Sequence, residues 1–116
     1  MSDSLVTLKS EREFNSVFQQ GKSYVNRHFV LYVLSIETSC RKIAFCAGKK
    51  LGNAVHRNRI RRRAKNAFQQ IEGRIKKGVS LILIARLPVY SADFIVLVAS
   101  INDLLKRAGV LEEKSK

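Results

Sequence analysis

The seven residues Val79–Ala85 (Val-Ser-Leu-Ile-Leu-Ile-Ala) constrain this chain more than any other segment. A half-exposed strand alternates polar with apolar positions, so a short run this apolar, stopped by Pro88, reads as a strand covered on both faces. Covering both faces requires packed layers on either side of a sheet. The chain has 116 residues for the task, 46% of them hydrophobic and none Trp. That is material for a single domain with one modest core, expected over about residues 8–109. One Pro and six Gly argue against a low-complexity chain.

The flanking segments supply the layers. Ser10 can cap a helix running to Gln20: Glu11 and Glu13 suit its positive end, Phe14, Val17 and Phe18 share a face, and Gly21 ends it. Arg27–Ser35 reads as a strand with Phe29, Leu31 and Val33 on one face and Val30, Tyr32 and Leu34 on the other. Glu37–Arg41 reads as a polar turn and Lys42–Ala47 as a second strand, so these two are expected to pair as an antiparallel hairpin closed by Gly48. A long helix is expected over Ala54–Glu72 with Asn53 as its cap. Gly73 and Gly78 bracket a basic connector to the apolar strand. Ser91 is the expected cap of a last helix that ends near Ala108, before Gly109. Its buried stripe is expected to comprise Phe94, Leu97, Val98, Ile101, Leu104, Leu105 and Ala108. The order α-β-β-α-β-α describes an α+β, or α/β, sandwich with helices packed on a small mixed sheet.

Charge narrows the function. Twenty-two Lys and Arg against nine Asp and Glu give a formal net charge of +13. Such an excess repels itself within a small fold, which points to a polyanionic partner. An anionic membrane is the competitor, but it needs a basic helix with a large apolar face left exposed, and no apolar run reaches the roughly 18 residues of a bilayer span. Met1-Ser2-Asp3-Ser4 lacks a positive flank and an apolar signal core, so the chain reads as cytoplasmic. Cys40 and Cys46 are expected to be free thiols, with Cys46 packing as a small hydrophobe. Two Cys and two His at unrelated spacings form no zinc pattern.

The charge concentrates in the expected long helix. At roughly 100° per residue, Ile60, Ala64, Ala67, Phe68 and Ile71 fall on one buried face. Asn58, Arg59, Arg62, Lys65, Asn66 and Gln69 gather opposite, while Arg57, Arg61 and Arg63 flank the apolar stripe, where long stems can lie on protein with their heads in water. From Lys49 through Ile71 there are eight Lys and Arg and no acid. Arg57, Arg61 and Lys65 stand four apart, as do Arg59 and Arg63, so like charges repel where a solvated helix would interleave acids. The arrangement makes sense if phosphates supply the missing counter-charge. The planar fork of Arg suits bidentate phosphate contacts and stacking, and the helix N-terminus near Asn53, with Lys49 and Lys50 upstream, forms a second anion site. No helix-turn-helix is evident, which favours RNA over DNA. Phe14, Phe18 and Tyr32 can stack unpaired bases or pack in the core; spacing alone favours packing for the two Phe residues and leaves Tyr32 even.

The segment Lys49-Lys50-Leu51-Gly52-Asn53-Ala54-Val55-His56-Arg57-Asn58-Arg59-Ile60-Arg61-Arg62 closely resembles the signature of the bacterial ribonuclease P protein subunit, with its Arg-Asn-Arg on a basic helix. The similarity extends from Leu8 to about Ala108. It includes the Phe14…Phe18 helix, Asn26-Arg27-His28-Phe29-Val30-Leu31-Tyr32 and Ile84-Ala85-Arg86-Leu87-Pro88. The resemblance implies a small mixed sheet of the four-stranded type with a left-handed β-α-β crossover, against the usual handedness. It implies a catalytic RNA that removes the 5′ leader of precursor tRNA with Mg²⁺ required by the RNA, and no cofactor bound by the protein alone. The protein would join that RNA one to one and hold the leader in a cleft between its first helix and sheet. By position, Lys49, Lys50, Asn53, Arg57, Asn58, Arg59, Arg61, Arg62 and Lys65 would meet the catalytic RNA. Phe14, Phe18, Tyr32 and Arg86 would line the leader cleft, which moves the two Phe residues towards function. Lys65 stands where the family commonly has Arg, keeping the charge and losing the bidentate fork. The N-terminus lacks a basic lead-in.

Two other readings compete. A ribosome-type RNA-binding protein could share the fold with a different partner. A stand-alone nuclease would need a base or metal carboxylates beside the basic helix, and the basic segment offers only His56, with no orienting acid near it in sequence.

Overall fold

The computed structural model describes residues 5–112; Met1–Ser4, read above for targeting signals, lies outside them. Five strands and three helices follow in the order β1 (Leu5–Thr7), α1 (Glu11–Gln20), β2 (Lys22–Val25), β3 (Phe29–Ser35), β4 (Arg41–Ala47), α2 (Ala54–Gln69), β5 (Val79–Ala85) and α3 (Phe94–Arg107). The sheet order is β1-β4-β5-β3-β2, so the architecture is α+β on a mixed five-stranded sheet. The four-stranded expectation is one strand short.

The apolar strand occupies the centre. β5 pairs in parallel with β4 and antiparallel with β3, and Leu81, Ile82 and Leu83 are all but fully buried. This overturns the expected hairpin, because β3 and β4 do not pair with each other: Leu81 lies opposite Val33 on one side and Ile43 on the other. A strand apolar on both faces gains most from the middle of a sheet, and β5 inserts between the two candidates. The polar loop also bonds to β5's lead-in. Ile36 N–H donates to Gly78 O and Gly78 N–H to Cys40 O, both at 2.9 Å. Gly78 has φ +78°, and a Cβ there would meet Thr38 O at 3.0 Å, so the close crossing requires glycine.

Helix α2 links the parallel neighbours β4 and β5 and packs with α3 on one sheet face. Their core includes Phe29, Leu31, Ile43, Leu81, Leu83 and Phe68. Helix α1 covers part of the other face, over Val17, Ala44 and Ile82, with Leu8 beside them. Ser10 caps α1 in a reciprocal box with Glu13.

Two unanticipated strands and four shifted boundaries separate the structure from expectation, among them the start of β3 at Phe29 rather than Arg27. β1 and β2 were not anticipated; both are short edge strands whose three and four residues carry too little periodicity to read. Helix α2 ends at Gln69, and Glu72 belongs to a 3₁₀ turn, although Ile71 is buried as expected. Residues Leu87–Ser91 form a 3₁₀ turn, so α3 starts after Asp93 rather than Ser91. Its buried stripe accordingly begins at Leu97 and includes Ile101, Leu104 and Leu105, whereas Phe94, in the first turn, is 43% exposed. Arg41 is no turn residue: it opens β4, is buried, and donates to Ile75 O at 2.9 Å. A guanidinium inside a fold is tolerated when carbonyls receive its protons.

Candidate nucleic-acid interface

The face predicted to hold α2 against the sheet does so. Ile60, Ala64, Ala67 and Phe68 are buried, and the Phe68 ring meets Phe45 edge-on with centroids 5.4 Å apart. This forces the opposite face outward: Asn58, Arg59, Arg62, Lys65, Asn66 and Gln69 are exposed. Arg57, Arg61 and Arg63 are half-buried along the flanks, and two of them also serve the fold. Arg57 Nε donates to Ala47 O at 3.1 Å, and Arg63 donates to Val89 O and Ala92 O at 3.0 and 2.6 Å. Arg61 donates to Asn58 Oδ1 one turn back. A groove of about 650 Å³ runs beside the helix, with Arg61, Arg62 and Lys65 along one wall and Thr7, Ile43 and Phe45 among its other lining residues.

The helix start is held from three directions. Asn53 Oδ1 accepts from His56 N–H at 3.1 Å, and no acid stands in the first turn. Upstream, a 3₁₀ turn over Lys49–Leu51 buries Leu51 and leaves Lys49 and Lys50 exposed. Tyr90 Oη donates to Leu51 O and lies 3.1 Å from His56 Nδ1. Gly52, at φ +117°, passes so close to Tyr90 that a Cβ would meet its hydroxyl at 2.9 Å. His56 thus has a tyrosine hydroxyl as ring partner, with no carboxylate among the described residues orienting it.

The aromatic candidates assemble on the other sheet face. Phe18 meets Tyr32 edge-on at 4.8 Å, and Phe14 lies 6.5 Å from Phe18. Their burial divides them. Phe14 is half-buried against the α1 core, while Phe18 is 42% exposed and Tyr32 half-buried. Arg86 stands apart from this cluster. It follows β5 and donates to Asn26 O at 2.5 Å, four residues beyond Tyr32's partner Ile82, roughly 13 Å along the strand. The sheet therefore separates the basic helix from the aromatic group.

A polar hub beside Arg86 escaped sequence reasoning. Asn26 Oδ1 accepts from the N–H groups of His28 and Phe29, and its Nδ2 donates to Ser100 O and Asp103. His28 Nδ1 lies 3.2 Å from Ser100 Oγ. An Asn before a strand signals a turn, but its partners on α3 lie more than seventy positions away in sequence.

Titration follows from these contacts. The Glu13 carboxylate accepts from Lys42 Nζ at 2.5 Å and from the N–H groups of Lys9 and Ser10, which lowers its pKa from 4.5 to about 2. Burial, with Arg27 nearby, lowers that of His28. Both groups bind protons more readily when unfolded, so both stabilise the fold at neutral pH and lose that contribution on acidification. The Glu13 share is complete above about pH 4.5 and fades towards about 2. We expect Glu13→Gln to flatten the pH dependence of the urea midpoint in that window; a variant as steep as the parent would contradict the assignment. Burial pushes the Cys46 thiol up, as suits a packing residue, and Cys40 is exposed. Among the described residues no three His, Cys, Asp or Glu cluster as metal ligands, and no helix is long and apolar enough to cross a membrane.

Fold and surface together define a class: a small α+β protein whose arginine-rich helix presents charge that nothing on that helix neutralises. Comparison with known proteins narrows it. The family model for Ribonuclease P matches residues 3–109. The ribonuclease P protein component of Shouchella clausii (strain KSM-K16) is 40% identical over 105 residues, covering 90% of this chain and 86% of that protein. The structure of the Staphylococcus aureus RNase P protein superposes with a TM-score of 0.81 at 31% identity, covering 91% of this chain and 97% of that one. The RNase P protein from Thermotoga maritima gives 0.78 at 28% identity, covering 87% and 96%. The chain belongs to the ribonuclease P protein family.

Proposed function

We propose that this chain is the protein subunit of a ribonuclease P holoenzyme, binding the catalytic RNA and the 5′ leader of precursor tRNA while the RNA cleaves. The observation that carries this reading is the acid-free helix α2, with Arg59, Arg62 and Lys65 exposed, in a chain of this family. Lys49, Lys50, Asn53, Arg57, Asn58 and Arg61 complete the surface that meets the catalytic RNA. Lys65 acts there as a point charge, where Arg would add a fork. Neutralising phosphates lets the RNA fold and hold its substrate at lower Mg²⁺. The metal belongs to the RNA, and the protein alone takes no cofactor. The complex is one to one and cytoplasmic.

The leader lies in the cleft between α1 and the sheet. Phe18 offers a ring to an unpaired base, with Tyr32 beside it, while Phe14 secures the helix beneath. Arg86, tied to Asn26, supplies a phosphate contact further along. Base stacking on an aromatic side chain is worth ~1–3 kcal/mol. Phe18→Ala is therefore expected to lower the holoenzyme's affinity for precursor tRNA about tenfold, leaving its affinity for mature tRNA unchanged. Equal losses for both would place Phe18 outside the leader's path.

The nuclease reading loses ground on His56. Its ring partner is Tyr90, and no described carboxylate stands ready to orient it as a base.

A further inference from the structure

Five cations from three parts of the chain (Lys22; Arg74, Lys76 and Lys77; Lys106) converge at the end of the sheet remote from the start of α2. Two shallow concavities of about 520 and 500 Å³ share Lys76 and Gly109. Lys22 of β2 lines the first, and Arg74 of the connector and Lys106 of α3 line the second. Of the described residues lining either, Glu112 is the one carboxylate. The backbone beneath is fixed: Lys76 N–H donates to Val110 O at 2.8 Å, Glu112 N–H to Arg74 O at 2.7 Å, and Ile75 bridges Leu111. Lys22, Arg74, Lys76 and Lys106 are exposed above it.

The placement is distinct from both surfaces already described. Lys76 lies just before β5, whereas Lys49 and Lys50 lie just beyond the far ends of the parallel pair, where Ala47 meets Ala85. Seven residues of β5 separate the two ends, about 20 Å. Tyr24 and Val33, which line the first concavity, pack with the α2 and α3 core, and Gln20 at the end of α1 also lines it. Lys106 has a local reason to be there, since a cation suits the last turn of a helix. Lys22 and Lys76 have no such reason, and bringing like charges together costs stability unless an anion bridges them.

We propose that Lys22, Arg74, Lys76 and Lys106 form a second phosphate-binding surface, which grips the backbone of an RNA segment about 20 Å from the Lys49–Lys50 end of the first. The inference rests on the RNA-binding reading above and extends it: the protein clamps two RNA elements rather than lying against one. The contacts are to phosphates, so they add affinity and orientation without reading sequence.

The test compares three variants of the full chain in salt titrations against the catalytic RNA. Lys76→Ala with Lys106→Ala removes two cations of the new surface. Lys9→Ala with Arg12→Ala removes two exposed cations elsewhere and controls for net charge. Arg59→Ala probes the α2 surface. We expect the Lys76/Lys106 pair to lower the log–log salt slope by about 1.5 and weaken binding at least tenfold at low salt, with an unchanged melting temperature and little effect from the Lys9/Arg12 pair. An unchanged slope, or equal losses in the two pairs, overturns the second surface while leaving α2 intact. No loss from Arg59→Ala defeats the RNA-binding reading of α2 instead.

Discussion

Replacing Arg59 and Arg62 together by alanine is expected to weaken association with the catalytic RNA by on the order of a hundredfold, since each lost contact costs roughly 1–3 kcal/mol. Both side chains are exposed on the helix face opposite Ile60 and Ala64, so the fold should not register the change. The log–log salt slope should fall by about 1.5, as two phosphate contacts disappear. Fluorescence titrations across a salt series, with circular dichroism as the control, make the comparison. Affinity and slope both at parent values would remove α2 from the RNA interface.

The second large effect concerns stability. Phe68 is 1% exposed, packs edge-on against Phe45, and helps to hold α2 to the sheet. Truncation to alanine leaves a cavity that a close-packed core cannot refill, costing ~3–5 kcal/mol. Small domains have only about 5–15 kcal/mol in total. Phe68→Ala should therefore lower the urea midpoint sharply with little change in the slope of the transition. A loss under about 1 kcal/mol would mean that the site collapses around the deletion and that α2 does not depend on this ring. The consequence reaches function, because the same docking that buries Phe68 turns Arg59, Arg62 and Lys65 outward.

How much of this was legible in the residues depends on range. Helix α2 was readable because its signals are local: Asn53 at the cap, apolar positions at 3.6-residue spacing, and an absence of acids. β5 was readable to the residue because a two-faced apolar run admits few other roles. Pairing was not readable. β3 and β4 look like hairpin partners in sequence, and nothing local says that a strand more than thirty residues on will enter between them. The edge strands failed for want of length. On the sites, helical geometry separated Ile60 and Ala64 from Arg59 and Arg62 correctly, and it anticipated the half-buried stems of Arg57, Arg61 and Arg63. It could not show that Arg57 and Arg63 also bond to loop carbonyls, nor that Phe18 stays exposed while Phe14 packs. The Asn26 hub and the Lys22–Arg74–Lys76–Lys106 cluster bring together positions far apart in the chain. No window along the sequence contains either.

On the proposed reading this protein binds and positions while RNA does the cutting. Reconstitution tests it most directly: combine the protein, the catalytic RNA and precursor tRNA at low Mg²⁺, and assay cleavage with each macromolecule omitted in turn. Correct 5′ cleavage is expected only when protein and catalytic RNA are both present, with the protein's contribution fading as Mg²⁺ is raised. Cleavage by the protein without the RNA, or no gain on adding the protein, would overturn this division of labour.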